Sequence, residues 1–573
     1  MLLERAGEVQ PSCDPNEVVG FDEEDVKLGT DHAFTHPHLF APPHLDTQRP
    51  ANSRGTPVRQ HYASRATSRI LPNIGINNVS TSPSDLTGCP TSRLVPYHSP
   101  IMPVTGANGT SDKRPWIFNA FAMAAPGHLN PGLWKHPDQE PQTLEHWVEL
   151  AKKLDDAKFH GIFFADVLGI YDIYNKDDHD GLGPALRSGA QVPHLDVAFL
   201  VSAMAYATKG LSFGLTASTS YEHPYQLARK YSTLDHATGG RVGWNIVTSY
   251  LESAAKSYGL EQTVEHDERY KIADEFLSVF YKLLEGSWED DAVEVNKKTG
   301  VYTNPDKVHH INHVGKYFRC KGPNLVGPSK QRTPFLLQAG ASKAGKDFAA
   351  EHSEAMFLPG MVPEKTREIV DSTKELLVSK GRSPDSVKFI AGIFIVVDES
   401  DEKAQAKFQE LLQYADLEGT ASLFGGWSGT DLSKFSDDED FKFNGPPAIQ
   451  SMINSWTATV PGLKDQKWTK KHVLQQLAIS GAHGRAIGGP KTVADILESW
   501  VREAHVDGFN VSYATTPHTF EDLIKYLWPE LRARGVLQEE YAGCSMRENF
   551  VQDGKGPRVR EGHPALKYRH VTA

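Results

Sequence analysis

The chain has 573 residues, 39% of them hydrophobic, which is enough for a large core and exceeds the roughly 250 residues of a plain (β/α)8 barrel. A formal net charge of −12 and a pI near 6.1, with no concentrated stripe of Lys and Arg, argue against a nucleic-acid polyanion as partner. Cys13, Cys89, Cys320 and Cys544 are dispersed and form no Cys-x-x-Cys pair, which argues against a zinc knuckle and predicts reduced thiols.

Residues 1–112 are rich in Pro, Ser, Thr, Asn and His and lack sustained periodicity. Such a segment buries too little apolar surface to offset its ordering entropy, so a disordered extension is expected. The first residues are acidic and lack an apolar signal core, and the apolar stretch at 197–207 is short and interrupted by Ser202. A cytoplasmic protein without membrane contact is expected.

From Trp116 onward, β-type runs alternate with amphipathic helices, the pattern of βα units around a parallel sheet. Strands are expected at 116–123, 161–165, 212–216, 242–247, 334–339, 355–358, 387–396 and 508–512. Thr143 is placed to cap a helix in which Leu144, Trp147, Val148, Ala151 and Leu154 follow i, i+3, i+4, i+7 spacing. Asp196 opens another, with Leu200, Met204 and Ala207 along one face and Gly210 suited to its C-terminal end. The fold class is therefore α/β, a (β/α)8 TIM barrel over residues 113–555, followed by a polar tail at 556–573. Two long insertions interrupt it. Residues 288–332 include an expected hairpin at 313–318, and residues 416–489 include Phe-Gly-Gly-Trp-Ser-Gly at 424–429. Insertions of this length on a barrel commonly serve as lids.

Five segments deliver polar groups at what read as strand ends: 161–166, 212–219, 240–249, 266–270 and 338–342. Barrel sites are built at that face, so the series points to a ligand. Asp166 ends an apolar run, where a carboxylate is costly unless it is paired or used; holding a neighbouring loop is the structural alternative. Thr216, Ser218 and Thr219 are small hydroxyl residues that suit a ligand-facing rim or an ordinary Thr ladder. Asn245 lies on the inner rim of the next strand. His266 and Tyr270 are four apart at what also reads as a helix start, hence on one face. The Gly- and Ala-rich turn at 338–345 can open a helix and bind phosphate through free N–H groups, although such turns are common and this one departs from the usual position after strands seven and eight.

No Gly-x-Gly-x-x-Gly follows a strand, so no dinucleotide-binding unit is expected. His309, His310 and His313 sit on a polar insertion without ligand spacing, and no metal is expected there. Asp166 and Glu222 leave a two-carboxylate hydrolase open.

In their order, the five segments resemble the nitrilotriacetate and dibenzothiophene-sulfone monooxygenases of the bacterial-luciferase-like flavin superfamily, from about Trp116 to Phe550. The resemblance implies a two-component monooxygenase. A separate NAD(P)H:flavin reductase would supply reduced FMN, O2 would be the co-substrate, and a C4a-hydroperoxyflavin would pass one oxygen atom to a small organic substrate. It further implies flavin contacts from Asp166, Thr216, Thr219, Asn245, His266 and Tyr270, with Ala341 and Ser342 near the phosphate or ribityl chain. His266 is the expected proton-handling residue because imidazole titrates near neutrality. A homo-oligomer is expected. The alternatives are the barrel hydrolase and a non-catalytic flavin-binding paralogue. Trp134, Tyr171, Tyr174 and Trp244 are the aromatic residues a partly apolar substrate pocket would draw on, and each serves equally well as packing.

Overall fold

The computed structural model describes residues 115–360, 362–441, 449–450, 452–454 and 467–570; the extension expected at 1–112 lies outside them. Eight parallel strands form a closed ring: β1 Ile117–Ala122, β2 Gly161–Phe164, β3 Ser212–Ser218, β4 Val242–Val247, β5 Phe335–Gln338, β6 Ala355–Leu358, β7 Lys388–Val397 and β8 Gly508–Ser512. Each pairs with the next, and β8 returns to β1 with Ile117 opposite Gly508 and Phe121 opposite Ser512. All eight stand where the apolar runs predict them, because strands covered on both faces read as near-continuous hydrophobic segments. In β7 every residue after Lys388 is buried.

The sequence does not announce a ninth parallel strand, Gly484–Gly488. It pairs with the far half of β7, from Ile393 opposite Gly484 to Val397 opposite Gly488, beyond the residues that β7 shares with β6. Two terminal glycines and an arginine in five residues carry little strand propensity, so the pairing comes from the exposed edge of β7.

The helix Leu144–Asp156 begins as expected, with Thr143 accepting a hydrogen bond from His146 N at 3.3 Å and Trp147, Leu150, Ala151 and Leu154 buried. The next apolar helix differs in detail. It spans Ala198–Ala207, ends at Thr208, and buries Val201, Met204 and Ala205. Gly210 is not its cap: the N–H groups of Gly210 and Leu211 donate to Asp155 at 2.9 and 2.8 Å. This helix leaves Phe199 and Tyr206 83% and 86% exposed.

The first insertion folds into two small antiparallel ribbons, Val293–Asn296 with Val301–Thr303 and the expected hairpin His313–Val314 with Arg319–Cys320. In the second, Leu417–Ser428 is a helix that presses on Tyr171; a Cβ on Gly426 would overlap that ring, so glycine is needed for the approach.

Residues 556–570, which the sequence sets apart as a polar tail, lie against the barrel. His563 Nε2 is 3.0 Å from the His352 carbonyl, Ala565 is buried, and Arg569 pairs with buried Glu285 at 2.6 Å. Cys320 is a free, buried thiol, whereas Cys544 is disulfide-bonded, contrary to the expectation of reduced thiols throughout. No helix among the described residues is long and apolar enough to cross a membrane.

Candidate active site

The C-terminal ends of β2, β4 and β5 open onto one cavity of about 300 Å³, at the lower end of the range for small-molecule sites. Asp166, Val167 and Leu168 follow β2, Thr248, Ser249 and Tyr250 follow β4, and Ala339 and Gly340 follow β5. The fourth wall is the start of the helix His266–Tyr281, which contributes His266, Arg269 and Tyr270. Segment 266–270 is thus a first helical turn and not a strand end. Glu265 caps it by accepting from Glu268 N at 2.9 Å, and the helical period sets the His266 and Tyr270 rings 5.3 Å apart.

Asp166 Oδ1 lies 3.3 Å from His194 Nε2, an ion-pair contact. The carboxylate raises the pKa of His194 above the usual imidazole value, against the opposing effect of burial. His266 is 47% exposed, with Nδ1 2.7 Å from Asp267 and Nε2 3.5 Å from Ser342 Oγ, which puts it at the β5-turn end of the cavity. Burial raises the Tyr270 pKa, opposed by hydrogen bonds with Ser342 and Thr248.

Ser342 follows that turn and caps the helix Lys343–His352, accepting from Gly345 N at 3.1 Å. Half-buried Ala341 sits between Ser342 and the cavity-lining Gly340. A Cβ on Gly340 or Gly345 would stand 2.5 or 2.9 Å from the Tyr270 hydroxyl, so the turn must be glycine to lie this close.

The hydroxyl residues of β3 lie off this cavity. Thr216 Oγ1 donates to the Phe164 carbonyl and accepts from Asn245 Nδ2, both at 2.8 Å, tying β2, β3 and β4 together. Thr219 Oγ1 donates to the Val247 carbonyl at 3.3 Å. Thr216 instead lines a neighbouring cavity of about 540 Å³ with Asp166, His194 and Glu222. Glu222 is paired with Lys230 at 2.8 Å, so each carboxylate of the two-carboxylate alternative has its own basic partner.

A further chamber of about 230 Å³ shares Val167 with the first cavity and is lined by Phe121, His128, Tyr171, Gln191, Trp427 and His483, among others. Burial lowers His483 to about 4, and burial together with the charge of His483 lowers His128 to about 3. Both rings are therefore neutral at pH 7. His128 Nδ1, Gln191 Oε1 and Ser480 Oγ are buried without hydrogen-bond partners.

Sequence reasoning overlooks these residues. His128 follows β1 by six positions and His483 precedes the unexpected strand, and only the first carries a strand-end signal. Of the four expected aromatics, Tyr171 alone lines this chamber, while Trp244 and Tyr174 are packing residues and half-exposed Trp134 donates to the Ser188 carbonyl at 3.0 Å. His309 and His313 pair with Glu289 and Glu275 at 2.9 and 3.3 Å, and no metal-holding group exists among the described residues.

A closed eight-stranded parallel barrel with a polar cavity at the C-terminal ends of β2, β4 and β5 is the frame of a barrel enzyme. The chain belongs to the luciferase-like monooxygenase family, which it matches over residues 123–508, and is a flavin-dependent monooxygenase. It is 44% identical to dimethyl-sulfide monooxygenase of Hyphomicrobium sulfonivorans over 80% of this chain and 94% of that one. It is 42% identical to long-chain alkane monooxygenase of Geobacillus thermodenitrificans, covering 79% and 98%. The crystal structure of DmoA from Hyphomicrobium sulfonivorans superposes with a TM-score of 0.75 at 43% identity, covering 80% of this chain and 96% of that chain. The nitrilotriacetate and dibenzothiophene-sulfone monooxygenases are relatives as well, at 30% and 31% identity. Membership in this family sets the hydrolase alternative aside.

Proposed function

We propose that this chain is the oxygenase of a two-component system, taking reduced FMN from a separate NAD(P)H:flavin reductase and transferring one atom of O2 to a small organic substrate. The observation that carries this reading is the cavity at the ends of β2, β4 and β5, where Gln338 Oε1 and Arg269 Nε are buried without hydrogen-bond partners beside the Asp166 carboxylate. Buried polar atoms are nearly always satisfied, so such a set facing one space fits a polar ligand. Asp166 and Gln338 would hold the ring system of the flavin, and Tyr270, His266, Ala341 and Ser342 its phosphate end. Thr216, Thr219 and Asn245 would support it from beneath by fixing the spacing of β2, β3 and β4. When bound, reduced FMN supplies the two electrons that activate O2, one oxygen atom going to the substrate and the other to water.

The chain's own residues shape the remainder. The neutral chamber of His128, Gln191 and Tyr171 would seat an uncharged organic substrate, and the helix Leu417–Ser428 with Trp427 would keep water from it. Relatives named for dimethyl sulfide and a long-chain alkane agree with an uncharged substrate. For proton handling, His266 stands in the cavity and His194 joins it from the Asp166 side. The reading places the protein in the cytoplasm beside its NAD(P)H-dependent partner. It also includes self-association through the helix Ala198–Ala207, whose Phe199 and Tyr206 project from one face. Light scattering of wild type against Phe199→Ser/Tyr206→Ser checks the last point.

The test of the main reading is anaerobic titration with reduced FMN, then rapid mixing with O2 while the flavin spectrum is followed. Saturable binding and a transient distinct from oxidised FMN are expected. Absence of binding, or rapid NAD(P)H oxidation by the isolated chain, would sink the reading.

A further inference from the structure

Three polar side chains around the chamber behind Val167 keep an open hydrogen-bonding position, and their chemistry decides which kind of ligand fits. In Gln191, Nε2 donates to the His128 carbonyl at 2.9 Å. A carbonyl can only accept, so the amide cannot be turned the other way. Gln191 Oε1 is therefore a fixed acceptor, buried and without a partner. His128 is neutral and carries a single ring N–H, which the Phe121 carbonyl accepts. Its Nδ1 has no partner, so that N–H belongs to Nε2 and Nδ1 is a second bare acceptor.

The donors of the chamber are engaged elsewhere. Trp427 Nε1 donates to the Tyr171 hydroxyl at 3.3 Å, and that hydroxyl also meets the Tyr250 hydroxyl at 3.1 Å. Ser512 Oγ gives its proton to the Ile393 carbonyl at 3.2 Å and can only accept from His483 Nδ1 at 3.5 Å, which occupies the single N–H of that neutral ring. Among the described side chains that line the chamber, the Ser480 hydroxyl is left as the one free donor. Buried acceptors without a donor are costly, and an apolar ligand would displace the water that could otherwise serve them. A hydroxyl or an N–H satisfies them. No carboxylate lines the chamber, so an ammonium would be buried without a counter-ion, and the donor must be neutral.

We infer that the substrate of this chamber is a small neutral molecule carrying a hydroxyl or N–H group, recognised by Gln191 Oε1 and His128 Nδ1 as hydrogen-bond acceptors. This rests on the proposed function, in which the chamber seats the substrate. The experiment compares n-pentanol with its isomer butyl methyl ether, which has the same atoms and no donor. Dissociation constants are measured for both with the full chain, wild type and Gln191→Met, alongside melting temperatures. Wild type should bind the alcohol about tenfold more tightly than the ether, and Gln191→Met should bring the two to within about threefold by weakening the alcohol alone. If Gln191→Met fails to fold, nitrogen NMR of wild type decides: the resonance of the unprotonated His128 Nδ1 must move when the alcohol is added and stay in place with the ether. An alcohol that fails to bind or is preferred less than about threefold, a preference that survives in Gln191→Met, or a His128 resonance that the alcohol does not move overturns the inference while leaving the oxygenase reading intact. A chain that prefers the alcohol yet binds no reduced FMN in the anaerobic titration overturns the proposed function and keeps the chamber's selectivity for donors.

Discussion

Two spaces meet at Val167, and they differ in how they treat charge. The cavity at β2, β4 and β5 keeps a carboxylate and a guanidinium, partly open to solvent. The chamber behind it is lined by polar side chains that burial holds neutral, His128 and His483 above all. A charged, oriented ligand fits the first and an uncharged one the second. The contrast separates recognition of a cofactor by its ends from confinement of a substrate by shape and a few hydrogen bonds.

The largest expected effect breaks the first space. In Gly340→Val the new Cβ would lie 2.5 Å from both the Tyr270 hydroxyl and Gln338 Nε2, and the side chains that must yield belong to the site. Reduced-FMN affinity should fall by about 100-fold, or roughly 2.7 kcal/mol, with little change in melting temperature. Unchanged affinity would show that the turn does not touch the flavin. Next comes Asp166→Asn, which keeps the shape and removes the charge. A hydrogen bond to a charged group contributes about 1.5–3 kcal/mol, so flavin affinity should weaken tenfold or more; a large loss of melting temperature with intact affinity would make Asp166 structural. Trp427→Ala addresses the second space only. Flavin binding should hold while product formed per O2 consumed drops several-fold, because water enters the chamber.

How far the sequence reveals this division follows from what each space is made of. The eight strands are legible because a parallel barrel needs doubly buried apolar runs, and Asp166 is legible because it ends one of them. The Gly340 turn and the His266–Tyr270 spacing are local signals too. The chamber is not. His128, Gln191, Trp427 and His483 come from four segments brought together by the ring closure and by the edge strand Gly484–Gly488, and no local periodicity encodes that meeting. His194 escapes notice for the same reason: its contact with Asp166 spans 28 residues of chain and depends on the loop between β2 and β3.

The smallest expected effect sharpens the contrast through pH. His483 titrates near 4 and His128 near 3 in the folded chain, below the roughly 6.5 of an unfolded imidazole. Below about pH 6.5 the unfolded chain therefore binds protons that the folded chain refuses, and stability falls as the solution is acidified. His194 runs the other way. Asp166 raises its pKa, so the stability from that pair is fully present below about 6.5 and is lost as pH rises through the folded value. In melting temperatures measured from pH 5 to pH 9, His483→Gln should flatten the acid limb by a few degrees. It should not abolish it, because His160 and His563, both lowered to about 3 by burial, and His128 still contribute. His194→Gln should leave the acid limb alone and flatten the alkaline one. If His483→Gln leaves the acid limb unchanged, the chamber is not held neutral by burial, and the distinction between the two spaces fails at its electrostatic root.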